Sequence, residues 1–183
     1  MADADDALKT VRARIRTVPD FPKPGISYKD ITPLIEDGAA LHAATDALHR
    51  ATAHLDYDLI LSAEARGFVF GTALAYRSKK GLLLARKPNK LPRETVSATY
   101  DLEYGTDTLE AHTDSIGAGA RVLVCDDLLA TGGTARAMCE LVENAGGTVV
   151  GVAFLIELAY LKGRARLAPY EVISLVTYAT PDD

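Results

Sequence analysis

Apolar residues follow two alternating patterns along this chain. Short apolar runs of strand length cover residues 57–63, 81–85, 121–125, 148–156 and 170–178. Apolar residues recur instead at helical spacing in residues 39–55, 67–80 and 135–145. Because the strand-like runs alternate with the helical segments, the pattern predicts an α/β fold. A mostly parallel central sheet would be flanked by helices.

Two segments depart from this pattern. Residues 19–33 contain four prolines and a glycine, which exclude a helix, and they also carry Phe21 and Tyr28. We interpret them as an ordered, irregular segment that folds over a flat partner. Residues 97–100 and 109–112 are β-like and predict a long hairpin that stays outside the core. Long ordered loops of this kind are typical of lids over sites.

The composition narrows the class of protein. The chain has 183 residues, of which 48% are hydrophobic, and this suits a single domain over residues 1–183. The net charge of −5 argues against a nonspecific nucleic-acid binder, which needs a basic face. No apolar run reaches the ~20 residues of a membrane span, and residues 1–6 lack the basic and apolar parts of a signal peptide. Cys125 and Cys139 are expected to be buried free thiols in a reducing compartment, so the cytoplasm is expected, with neither nucleic acid nor a membrane as partner.

The most informative stretch follows the apolar run at residues 121–125. Two acids, Asp126 and Asp127, come first. A turn of small residues then leads into a helix and consists of Ala130, Thr131, Gly132, Gly133 and Thr134. The glycines let the backbone approach an anion at the helix N-terminus, and the threonines add hydroxyl donors. The carboxylates can accept hydrogen bonds from sugar hydroxyls, so the stretch predicts a site for a ribose phosphate.

A plainer interpretation is that this turn only caps its helix in a structural α/β domain. That interpretation leaves the two adjacent acids unexplained, because neighbouring carboxylates repel each other. The turn also lacks the lysine of a Walker loop and the GxGxxG of a dinucleotide site.

The stretch resembles the diphosphoribosyl-binding signature of type I phosphoribosyltransferases. The resemblance implies that Asp126 and Asp127 contact the ribose hydroxyls and that the following turn holds the 5′-phosphate. It extends to an Arg-Gly turn between a strand and a helix and to a basic loop at residues 86–93. The diphosphate contacts implied there are Ala65, Arg66, Gly67, Lys87 and Lys90, with Arg66 also catalytic.

Within the family, the chain is most similar to the members that act on adenine. The resemblance implies a small N-terminal hood at about residues 19–35 and a flexible hairpin lid at about residues 88–112. Tyr28 would stack on the base opposite Leu128, and the backbone of Ser27 would read the base edge. In the lid, Glu103 would be the acid/base group, with Tyr104 beside it.

The implied reaction converts adenine and phosphoribosyl diphosphate to AMP and diphosphate. Mg²⁺ would be held mainly by the substrate, with no certain metal ligand in the chain, and the enzyme would be a homodimer. Members that act on 6-oxopurines usually carry Asp at the position of Ala130, so the alanine favours adenine.

Two functional alternatives remain open at this point. One is a sister phosphoribosyltransferase for another purine or for orotate. The other is a regulator that senses phosphoribosyl diphosphate without catalysis. The acidic composition and the presence of Glu103 argue against the regulator.

Overall fold

The computed structural model describes residues 2–101 and 105–183. Its strands are β1 (Arg16–Pro19), β2 (Ser27–Asp30), β3 (Leu59–Ala63), β4 (Gly81–Ala85), β5 (Thr95–Asp101), β6 (Thr106–His112), β7 (Arg121–Leu129), β8 (Thr148–Leu158) and β9 (Val172–Tyr178). Its α-helices are α1 (Ala2–Ala13), α2 (Thr32–Glu36), α3 (Gly38–Thr52), α4 (Gly67–Ser78) and α5 (Gly133–Asn144). Short 3₁₀ helices cover Thr113–Ser115, Ala159–Leu161 and Gly163–Leu167.

The central sheet is parallel and has five strands in the order β4-β3-β7-β8-β9. The predicted α/β class is therefore confirmed. Helix α4 connects β3 to β4, and α5 connects β7 to β8. Because parallel strands end at the same edge of a sheet, the residues that follow β3 and β4 meet the acids of β7 there.

The core lies on both faces of this sheet. Successive residues of a strand point to opposite faces, so Leu123 and Cys125 pack on one side while Val122 and Val124 pack on the other. The first side is covered by α1, α3 and α4, and the second by α5 and the β5–β6 hairpin. No helix in residues 2–101 and 105–183 is both long and apolar enough to span a bilayer.

The hood contains more regular structure than its prolines predicted. Strands β1 and β2 pair antiparallel, with Val18 opposite Tyr28, and α2 follows directly. Residues 20–26 are irregular as predicted, but the prediction missed the strand and the helix that follow. Two of the prolines are compatible with regular structure because they occupy positions that need no backbone N–H. Pro19 ends β1, and Pro33 lies in the first turn of α2.

Two other boundaries differ from the predictions. Strand β7 does not end at Cys125 but continues through both acids to Leu129, because β8 continues to pair beside it. The β5–β6 hairpin is not wholly outside the core. Ala98, Leu109 and Ala111 are buried, and they pack in the same apolar cluster as α5.

Candidate active site

The predicted anion-binding turn has the expected position in the fold. Residues 130–132 connect β7 to α5, and Gly132 adopts a positive φ of 84° at the N-cap of that helix. A Cβ atom at Gly132 would also lie 2.6 Å from the carbonyl oxygen of Gly163. Gly132 therefore needs to be glycine for two reasons, its backbone angle and its close neighbour. The first N–H groups of α5, which have no partner within the helix, can bind an anion.

Asp126 and Asp127 are both buried beside this turn, with 8% and 6% of their surface exposed. Asp126 Oδ1 accepts a hydrogen bond of 2.9 Å from the Asp127 backbone N–H. Burial raises the pKa of both carboxyl groups, and the charge of Asp127 raises that of Asp126 further. Two buried carboxylates favour ligand groups that donate hydrogen bonds, as sugar hydroxyls do.

Arg66 supplies the nearest positive charge to these acids. Its Nε lies 2.9 Å from Asp127 Oδ2, and its charge opposes the burial that raises the pKa of Asp127. The ion pair lacks hydrogen-bond geometry, so Asp127 Oδ2 is buried without a hydrogen-bond partner. Arg66 stands between β3 and α4, directly after a cis Glu64–Ala65 peptide bond. Asp127 Oδ2 thus keeps a capacity to accept a hydrogen bond that its ion pair with Arg66 does not use.

Arg66 also contacts the hood. Its Nη1 donates a hydrogen bond to the Tyr28 hydroxyl, and its guanidinium carbon lies 5.3 Å from the centroid of that ring. Tyr28 makes an edge-to-face contact with Phe21, with 5.0 Å between ring centroids. One arginine therefore connects the predicted base-stacking residue to the acid pair.

Lys87 reaches the site from the loop after β4. Its Nζ donates a hydrogen bond of 2.8 Å to Asp107 Oδ2 on β6. The Tyr100 hydroxyl donates a longer bond of 3.4 Å to the same oxygen. Burial raises the pKa of Tyr100, while a hydrogen bond with Thr134 opposes this shift. The hairpin thereby contacts both the basic loop and the start of α5.

Glu64 holds the basic loop against the 65–67 turn. Its carboxylate accepts hydrogen bonds from Arg86 Nε and Nη2, at 3.1 and 3.0 Å, and from the Lys87 backbone N–H at 2.6 Å. That backbone hydrogen bond is the main reason the pKa of Glu64 lies below its ordinary value. Glu64 is thus a structural support for the two turns that carry Arg66 and Lys87.

These groups line one open cavity of about 510 Å³. The predicted residues in its wall are Ala65, Arg66, Gly67, Lys87, Asp126, Asp127, Leu128, Ala130, Thr131, Gly132, Gly133 and Thr134. Three predicted residues lie elsewhere. Tyr28 lines an adjacent cavity of about 320 Å³, and Lys90 lines a third cavity beside β4. Ser27 lines none of these three cavities. Glu103 and Tyr104 lie outside the described residues.

The cavity also contains polar residues that the sequence alone did not indicate. They are Glu64, Tyr100 and Asp107. Glu64 directly precedes the predicted 65–67 turn, and this adjacency was the only available signal. Tyr100 and Asp107 lie on the β5–β6 hairpin, where a tyrosine or an aspartate is ordinarily a surface residue.

Known proteins match both the sequence and the fold. The family model of the phosphoribosyl transferase domain matches residues 35–179. A protein of Rubrobacter xylanophilus named adenine phosphoribosyltransferase is 68% identical over 175 residues, which are 95% of this chain and 95% of that protein. The relative from Solibacter usitatus with the same name is 54% identical over 93% of this chain and 99% of its own.

Solved structures agree with these relatives. Adenine phosphoribosyltransferase from Thermoanaerobacter pseudethanolicus superposes with a TM-score of 0.92 at 50% identity, covering 93% of this chain and 99% of that one. The Saccharomyces cerevisiae enzyme, solved with an imino-altritol bisphosphate and adenine, has a TM-score of 0.88 at 35% identity, covering 93% and 99%. The sequence and the fold together establish that this chain belongs to the phosphoribosyltransferase family.

Proposed function

We infer that this protein is an adenine phosphoribosyltransferase, which converts adenine and phosphoribosyl diphosphate to AMP and diphosphate in purine salvage. The observation that carries this inference is the single cavity that joins the acid pair, the 130–134 turn, Arg66 and Lys87. Relatives up to 68% identical carry the same name.

The cavity suits phosphoribosyl diphosphate group by group. The 130–134 turn would bind the 5′-phosphate, and Asp126 and Asp127 would accept hydrogen bonds from the ribose hydroxyls. The 65–67 turn and Lys87 would hold the diphosphate. Lys90 is proposed for the same role although it lines a different cavity, because its charge helps to lower the pKa of Glu64, which lines the main cavity.

The reaction needs stabilisation of charge rather than a covalent intermediate. The bond between C1 and the diphosphate oxygen breaks, and the diphosphate leaves with the electron pair. A ring nitrogen of adenine forms the new bond to C1 and loses its proton, for which the Glu103 carboxylate is the proposed acceptor. Arg66 and Lys87 would stabilise the negative charge on the diphosphate, while the acid pair and the 130–134 turn hold C1 in place.

Mg²⁺ is the proposed cofactor. Among residues 2–101 and 105–183, no group of three or more His, Cys, Asp or Glu side chains could hold a metal ion. The acid pair still offers buried carboxylate oxygens, and Mg²⁺ prefers oxygen ligands. Oxygens of phosphoribosyl diphosphate would therefore be its main ligands. When bound, it would neutralise charge on the diphosphate.

The base would bind between the hood and β7. Tyr28 and Leu128 would stack on its two faces, and the backbone of Ser27 would read its edge. Ala130 carries no carboxylate that could handle a proton of a 6-oxopurine, and this supports adenine as the base.

The lid, with Glu103 and Tyr104, would close over the site and exclude water. Residues 1–183 would act as one domain in which the hood and the lid are parts.

We also propose a homodimer. Tyr76 and Leu84 are 89% and 40% exposed, and Leu84 lies on the edge strand β4. Exposed large apolar side chains beside a sheet edge are suited to burial against a second copy. Sedimentation of the purified protein tests this proposal. A monomer at micromolar concentration would contradict it.

The free buried thiols Cys125 and Cys139 support the cytoplasm as the compartment.

The first experiment is a comparison of bases. The purified protein is incubated with phosphoribosyl diphosphate and Mg²⁺, and adenine, hypoxanthine, guanine or orotate is offered separately while nucleotide formation is followed. AMP formed from adenine alone is expected. Turnover of another base would preserve the phosphoribosyl diphosphate site but contradict the assignment of the base. Binding of phosphoribosyl diphosphate without any turnover would favour the regulator.

A further inference from the structure

Lys29 is almost fully buried, although lysine normally keeps its charge in water. It lies on β2 opposite Thr17 and is 1% exposed. Its Nζ donates hydrogen bonds to Thr17 Oγ1 at 3.0 Å, to the Pro181 carbonyl oxygen at 3.3 Å and to Asp183 O at 2.7 Å. These bonds use all three donors of the ammonium group. Two of the acceptors belong to residues 181–183.

Residues 181–183 are themselves held in a defined turn. Asp183 Oδ2 accepts hydrogen bonds from the backbone N–H groups of Ala179 and Thr180, at 2.6 and 2.9 Å. Burial lowers the pKa of Lys29, and the charge of Asp183 opposes that shift. Ser27 makes a second connection, because its Oγ donates a 2.7 Å hydrogen bond to the Pro181 carbonyl oxygen.

Both connections leave β2 on the side opposite Tyr28. Side chains alternate along a strand, so Ser27 and Lys29 share one face and Tyr28 projects from the other. On that other face, the Tyr28 hydroxyl accepts the hydrogen bond from Arg66. Residues 181–183 therefore hold β2 by the face that carries Ser27 and Lys29, while the opposite face carries the ring of Tyr28.

We propose that Lys29 and residues 181–183 form a positioning link that sets the place of the base-binding face of β2, and so governs the affinity for the purine. The proposal rests on the proposed function, since it concerns the base side of that site. Lys29 touches neither substrate in this scheme. It acts through Ser27 and Tyr28, its neighbours on the strand.

The chemistry of the link favours positioning over simple stability. An apolar side chain of similar length would fill the same space without desolvating a charge, and buried ionic groups are weak contributors to stability. A lysine adds direction instead. Its three hydrogen bonds connect β1, β2 and residues 181–183. The bonds therefore fix the distance between the hood and the residues that follow β9.

The test separates the two substrates. Lys29→Met removes the charge but keeps the length, and we expect it to raise the KM for adenine about tenfold while the KM for phosphoribosyl diphosphate changes less than about twofold. Lys29→Arg restores a charged donor and is expected to recover most of the adenine affinity. Val142→Ala is the matched control. It creates a cavity near the end of α5, in the apolar cluster that this helix forms with the β5–β6 hairpin and away from the hood.

A second variant covers the case in which Lys29→Met does not fold. Asp183→Ala keeps Lys29 but removes the acceptor that holds the 179–183 turn and the charge near the ammonium group, and it should raise the KM for adenine in the same selective way. Hydrogen exchange of residues 27–30 in the protein without substrate should become faster in both variants. This readout does not depend on turnover, so it tests the link even if wild-type protein forms no AMP.

The proposal is overturned by either of two results. In the first, Lys29→Met and Asp183→Ala lower the Tm as Val142→Ala does and leave the KM for adenine at the wild-type value. In the second, the KM values for both substrates rise by the same factor, which would indicate general loss of structure.

Discussion

Lys87 Nζ lies 2.8 Å from Asp107 Oδ2, so the cation proposed for the diphosphate is paired with an acid of the β5–β6 hairpin. The hydrogen bond that Lys87 donates to Asp107 raises the pKa of Lys87, and the same bond lowers the pKa of Asp107. The Lys87 side chain is 58% exposed, so this ion pair is weakened by solvent. A diphosphate carries more charge than one carboxylate and would displace Asp107 from Lys87.

Asp107→Asn is expected to improve the binding of phosphoribosyl diphosphate. The substitution removes a negative charge that competes for Lys87. Loss of the free energy of one exposed ion pair is expected to lower the KM for phosphoribosyl diphosphate about two- to fivefold. Asp114→Asn is the control, because Asp114 pairs with Arg93 at 2.6 Å and does not line the cavity. Steady-state kinetics at constant adenine measure the effect. A higher KM in Asp107→Asn would mean instead that Asp107 holds Lys87 in its working position.

Asp127→Asn is expected to weaken the use of phosphoribosyl diphosphate. The buried Oδ2 of Asp127 has no hydrogen-bond partner, and an amide nitrogen there could not accept a bond from a ribose hydroxyl. Loss of a charged hydrogen bond predicts about a 10- to 100-fold fall in kcat/KM for this substrate. Asp58→Asn is the comparison, because Asp58 is an exposed partner of Arg121 before β3. Normal kinetics in Asp127→Asn would contradict the assigned sugar site.

Asp126→Asn is expected to raise the stability of the protein without substrate at neutral pH. Burial raises the pKa of Asp126 well above its ordinary value of 3.8, so the folded state favours the protonated form. The favourable contribution of the Asp126 carboxyl group to folding stability is present below its unfolded-state pKa. This contribution is lost as the pH rises through its folded-state pKa.

Thermal unfolding at several pH values measures this effect. The Tm of Asp126→Asn should exceed that of the wild type by roughly 2–4 °C at pH 7, and the difference should vanish below about pH 4. A Tm advantage that is the same at both pH values would show that charge is not its cause. A loss of activity should accompany the gain in stability, since the same carboxylate is assigned to the ribose.

Gly163→Ala is expected to displace the 130–134 turn. A Cβ atom at Gly163 would collide with the Ala130 carbonyl oxygen and would lie 2.9 Å from the Gly132 backbone nitrogen. The KM for phosphoribosyl diphosphate should rise by about tenfold or more, because the phosphate contacts proposed for that turn are backbone groups. Gly117→Ala is the control, since its Cβ would meet nothing within 4 Å. An unchanged KM in Gly163→Ala would show that the turn adapts.

Glu103→Ala is expected to lower kcat more than it changes either KM. This prediction comes from the family resemblance, which assigns Glu103 to the handling of a proton in the lid. Because proton transfer by a positioned side chain contributes about 10²–10⁴-fold to a rate, a fall within that range is expected. Single-turnover kinetics distinguish the chemical step from product release. A variant with normal kcat would remove Glu103 from the mechanism.

The sequence anticipated the parts of the site that are local in the chain. The acid pair lies in the last part of β7, the 130–134 turn follows that strand directly, and Arg66 follows β3 within three residues. Their positions could be predicted because strand ends in a parallel sheet meet at one edge. The hood was predicted less well. The prolines of residues 19–33 predict a break in regular structure, although Pro19 and Pro33 stand where β1 ends and α2 begins.

Hydrophobic periodicity and short motifs therefore determined the α/β class, the order of elements and the centre of the proposed phosphate and sugar site. Only the tertiary structure decided which distant side chains meet there. Lys29 bonds to residue 183, Asp107 to Lys87, and Gly163 lies against Gly132. The physical reason is that local patterns govern the conformation of each element, whereas these contacts depend on how separate elements pack together.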